Sequence, residues 1–63
     1  MYKSGDIVTY STVCIRYKNG SVKNSEIKTG AIEEAFHSLE GKVCYWIAGE
    51  NELIFHSQIL NNQ

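Results

Sequence analysis

The run Val43-Cys44-Tyr45-Trp46-Ile47-Ala48 is apolar on both of its alternating sides. In extended chain, Val43, Tyr45 and Ile47 point one way while Cys44, Trp46 and Ala48 point the other. A strand of this kind needs cover on both faces. The chain has 63 residues in which to find that cover, so residues 1–63 read as one small domain. A domain of this size is marginal on burial alone and draws on a disulfide framework, a metal or a partner surface. Cys14 and Cys44 can make one bridge at most, and Met1–Asp6 contains no apolar stretch of the signal-peptide kind. The expectation is a cytoplasmic protein with reduced thiols that gains stability from a partner surface, a second copy of itself included. No run of about 18 apolar residues is present, so no membrane span is predicted.

Strand signals fill most of the chain. Gly5-Asp6 opens the strand Ile7–Tyr10, and a second run covers Thr12–Tyr17, with Val13, Ile15 and Tyr17 on one side. Asn19-Gly20 then predicts a two-residue type I′ hairpin that sets Tyr17 opposite Val22 and Ile15 opposite Asn24. The return run from Ser21 to Lys28 changes parity between Val22 and Ile27, which calls for a bulge or an early end to the pairing. Residues 30–40 read as a helix. Ile32, Ala35, Phe36 and Leu39 fall at i, i+3, i+4 and i+7, Thr29 can cap the start, and Gly41 is a natural stop. Gly49–Glu52 makes a turn, Leu53–His56 a last strand, and Ser57–Leu60 a short turn or edge. Asn61-Asn62-Gln63 reads as a frayed end.

The opening Gly5-Asp6-Ile7-Val8 resembles the G-D-x-V start of small SH3-like barrels. The stretches Tyr45-Trp46-Ile47, Glu52-Leu53-Ile54 and Ser57-Gln58-Ile59-Leu60 are similar to their closing strands. The resemblance covers about half the chain. It implies a mainly β fold with one short helix, a small SH3-like partly open barrel. The helix at 30–40 departs from the simplest barrel and keeps a hairpin–helix–hairpin α+β fold as the alternative. Small SH3-like proteins of this kind are found in bacteriophages and mobile elements. Isoleucine, lysine and asparagine supply 17 of the 63 residues, a bias that suits an AT-rich coding sequence.

Chemistry-bearing residues are sparse. The one aspartate, Asp6, sits in a turn, and His37 and His56 lack the local context of a catalytic triad or a reactive cysteine. No enzymatic activity and no catalytic residue is expected. Cys14, His37, Cys44 and His56 are spaced by 23, 7 and 12 residues, without the short ligand pairs of zinc sites. Neither a metal nor any other cofactor is therefore predicted.

Binding remains. Tyr45 and Trp46 are adjacent, so one large ring must leave the core face and be covered by the helix, another copy or a partner. This predicts a non-enzymatic protein acting through protein–protein contact, on analogy a phage or mobile-element accessory factor that inhibits or redirects a host protein. Its candidate docking residues are Tyr45, Trp46 and Phe55, with Glu50 and Glu52 steering the partner. Charge is divided along the chain: +3 over residues 1–28 and -4 over residues 29–63. The alternative is a nucleic-acid-binding module that uses the hairpin cations Arg16, Lys18, Lys23 and Lys28. An overall charge of -1 and the parity that sends Tyr17 coreward, away from Arg16 and Lys18, argue against it.

Overall fold

The computed structural model describes residues 1–62. Among these the chain forms β1 (Ile7–Ser11), β2 (Ile15–Arg16), β3 (Val22–Lys23), β4 (Ile27–His37), β5 (Val43–Ile47) and β6 (Ile54–Phe55). A 3₁₀ turn at His56–Gln58 leads into β7 (Ile59–Asn62). Five strands build one antiparallel sheet in the order β6-β5-β4-β1-β7, while β2 and β3 form a separate hairpin. The two ends of the sheet, β6 and β7, do not pair, so the molecule is mainly β with an unclosed sheet. None of its described helices is long and apolar enough to cross a membrane.

The helix expected over 30–40 is instead the second half of the longest strand, β4. Its pairing with β5 shifts between Ile32 and Glu34, where two steps on β4 oppose one on β5. Glu33 is the extra residue of a β-bulge. The bulge puts Ile32 and Ala35, three apart, on the same side of the sheet, which imitates helical spacing. Phe36 then falls on the other side, opposite Cys44. Leu39 is fully exposed in the turn between Ser38 and Lys42, so the apolar stripe of the helical reading does not exist. Gly41 ends no helix; it lies in that same turn.

The Asn19-Gly20 hairpin forms with its register moved by one residue. Ile15 pairs with Lys23 and Arg16 with Val22, which leaves three loop residues rather than two. Gly20 takes φ 91° while Asn19 keeps a negative φ. That is a type I turn closed by a left-handed glycine, not a type I′ turn. The Asn19 side chain accepts from the Ser21 N–H at 3.0 Å and so spends its turn-forming capacity locally. The base of the loop is held by Thr12, which exchanges backbone and side-chain hydrogen bonds with Glu26 at 2.8 Å. Pairing ends early, at Lys23, before β4 begins. The end expected to fray is ordered through Asn62, since Asn61 and Asn62 pair with Thr9 and Val8; Gln63 lies outside the described residues.

The core occupies one side of the sheet. Val8, Tyr10, Ile32, Tyr45, Ile47 and Ile54 pack together, with Tyr2, Ala35, Val43 and Ile59 against them. Gly30, opposite Val8, lets this layer close: a Cβ there would stand 2.7 Å from the Ile47 Cγ2. Gln58, between β6 and β7 in the chain, ties β6 to the end of β1. Its amide oxygen accepts from the Phe55 N–H at 2.9 Å and its amide nitrogen donates to the Ser11 carbonyl at 2.8 Å.

Candidate protein-docking face

With Tyr45 committed to the core, alternation along β5 sends Trp46 to the opposite side. Register then builds a layer around it. Phe36, Cys44 and Phe55 lie in one row across β4, β5 and β6, and Glu34 and Trp46 form the next row. The Phe36 and Trp46 rings stack with centroids 6.2 Å apart. Trp46 remains 39 % exposed and Phe55 37 %, while Cys44 between the rings is buried. At the far end, the Lys42 ammonium stands 5.8 Å from the Phe55 ring centroid, a cation–π contact. Beside Phe55 opens a groove of about 470 Å³ lined by Lys42, Val43, Phe55, His56 and Ser57. The layer is thus an aromatic ridge with a carboxylate, Glu34, at one end and an ammonium, Lys42, at the other. Neither of these charges has an ion-pair partner among the described residues.

Of the expected docking residues, Trp46 and Phe55 share this face. Tyr45 does not: its ring is fully buried, and it cannot meet a partner. Its hydroxyl accepts from the Tyr2 N–H at 3.1 Å and lies 2.7 Å from the His56 Nδ1, which satisfies it inside the fold. Glu50 is also withdrawn. Its side chain is 4 % exposed, accepts from the Tyr10 hydroxyl at 2.9 Å and pairs with the Lys28 ammonium at 3.2 Å. Burial by itself would raise the Glu50 pKa; the hydrogen bonds from Tyr10 and Lys28 and the Lys28 charge outweigh it and hold the carboxyl below its ordinary range. Tyr10, buried and bonded to that carboxylate, is pushed up to about 12. Glu52 pairs with Lys23 at 3.0 Å. Two of the five acids of the C-terminal half therefore serve the fold rather than a steering surface. Phe36, absent from the docking residues read in the sequence, belongs to the face. The bulge at Glu33, which turns its side chain outward, leaves no local sequence mark.

The nucleic-acid residues divide in the same way. Lys23 and Lys28 are tied to Glu52 and Glu50, and the bond to Glu52 raises the Lys23 pKa. Arg16 and Lys18 make no ion pair among the described residues, and Tyr17 between them is 47 % exposed rather than coreward. Cys14, His37, Cys44 and His56 are not brought together; no cluster of three or more such groups fit to hold a metal occurs among the described residues. Comparison of the chain with protein-family models, with curated proteins and with solved structures finds no match.

Proposed function

We propose that this chain is an SH3-like binding domain that works by protein–protein contact through the Phe36–Trp46–Phe55 face. The observation that carries the reading is the ridge itself. Three aromatic rings gather on the side of the sheet away from the core, two of them more than a third exposed. Aromatic rings are enriched at the cores of protein interfaces, and tryptophan is among the commonest hot spots. The SH3-like part of the reading is supported by topology. A long hairpin-bearing connection after β1, a three-strand meander β4-β5-β6, a 3₁₀ turn, and a last strand returning beside β1 follow the path of small SH3-like barrels. An accessory factor that blocks or redirects a host machine is the biological form we infer for such a domain.

Capture experiments from lysate with the immobilised chain test the proposal. The account expects recovered protein to disappear with Trp46→Ser or Phe55→Ser and to persist with the double change Arg16→Glu, Lys18→Glu. A second reading is supported by the exposed Arg16-Tyr17-Lys18 tip, which joins an open ring to two cations without an ion pair among the described residues, as single-strand binders do. It gains the upper hand if RNA or DNA is recovered instead and is lost on charge reversal at Arg16 and Lys18 or on adding salt.

A further inference from the structure

We infer that the aromatic face is self-complementary and that its occupant in the isolated protein is a second copy of this chain. The inference rests on reading that face as a docking surface and names its partner. The argument is one of charge placement. Glu34 and Trp46 sit side by side at one end of the ridge, and Lys42 lies four residues back along the same side of β5, about 13 Å away. The Phe36–Cys44–Phe55 row runs midway between these ends. A two-fold axis lying along this row, between two facing sheets, reverses the strand direction and keeps the order across the strands. Each phenylalanine then faces its own counterpart. Trp46 of each copy comes over Lys42 of the other, and Glu34 comes over Ser38, the neighbour of Lys42 across the β4–β5 turn. The contact therefore sets the Lys42 cation against a ring and diagonal to a carboxylate, twice.

Size permits it. A specific interface needs about 1,000 Å² in total, or about 500 Å² from each copy, which is about a ninth of the 4403 Å² that the whole chain exposes. Two sheets packed face to face in this way also complete the cover that Phe36 and Phe55 give only in part to the outer side of β5. An interface near the lower size limit forms a weak dimer, so the mass should depend on concentration.

The test is sedimentation or light scattering across a dilution series of the full chain, with Glu34→Lys and Lys42→Glu. Circular dichroism melts check that both variants remain folded, as expected of side chains outside any ion pair among the described residues. The mass should rise from 7.1 kDa towards twice that value as concentration increases. Each variant alone opposes two like-charge pairs and should associate about tenfold more weakly. Mixed in equal amounts, they restore both opposite-charge pairs and should form a heterodimer of near wild-type strength. A mass of 7.1 kDa at every concentration overturns the inference. So does association that neither variant weakens, or a mixture no stronger than its parts. If the chain stays monomeric but Trp46→Ser still abolishes capture of another protein, the docking face stands and only self-association falls. If Trp46→Ser alters neither association nor capture, both readings fall.

Discussion

At the scale of single residues, the fold depends on positions where one atom decides the packing. Gly30 is the clearest. Its backbone passes so close to Ile47 that a methyl group would come within 2.7 Å of a buried, β-branched side chain. Ile47 is 1 % exposed and enclosed in the core, so it has little room to retreat. Gly30→Ala is expected to cost about 1–3 kcal/mol as overpacking, despite the gain that alanine usually brings in extended chain. Urea unfolding of the variant checks it, and an unchanged midpoint would show that the core has slack at this point. Tyr45 and Trp46 show the same local determinism. Neighbours in sequence, they are separated by alternation into a core ring with a satisfied hydroxyl and a surface ring that only Phe36 stacks against.

At the scale of elements, Glu50 joins three of them. From the β5–β6 turn it receives hydrogen bonds from Tyr10 of β1 and Lys28 of β4. Its pKa is lowered in the fold, so its contribution is complete above the ordinary carboxylate range and is lost as pH falls through the lowered value. Glu50→Gln should lose about 1–3 kcal/mol at neutral pH, because two partners keep their positions but lose the ionised acceptor. The gap between wild type and variant should close in acid, as seen by thermal melts from pH 7 down to pH 2. A gap of constant size would mean that the carboxylate is not held ionised by the fold. Elements also show what the sequence discloses. The strand β1 was legible from its alternation and β5 from its unbroken apolar run, and the turns at Gly5, Gly20 and Gly49 carry their own residue chemistry. The second half of β4 was not, because one bulge residue converts a two-residue period into helical spacing. The hairpin was legible as a hairpin but not in register, since Asn-Gly fits both a two-residue and a three-residue loop. Glu50 was misassigned to the surface because its partners, Tyr10 and Lys28, are 40 and 22 residues away.

At the scale of the whole molecule, a single-layered sheet in so short a chain has a wet side, and the chain places its aromatics there. The core takes up one face of the sheet, Gln58 ties β6 to β1, and the hairpin cations are partly consumed by acids of the same chain. On the wet side stands the ridge of Phe36, Trp46 and Phe55, with Glu34 and Lys42 at its ends outside any ion pair among the described residues. The chain holds a single tryptophan, so the ridge carries its own reporter. Acrylamide quenching of Trp46 fluorescence, followed over the same dilution series as the molar mass, is the direct test that this ridge is where the molecule makes contact. The account predicts that Trp46 becomes shielded and its emission shifts to shorter wavelength in step with association. Association that leaves Trp46 as open to quencher as in the dilute monomer would contradict it.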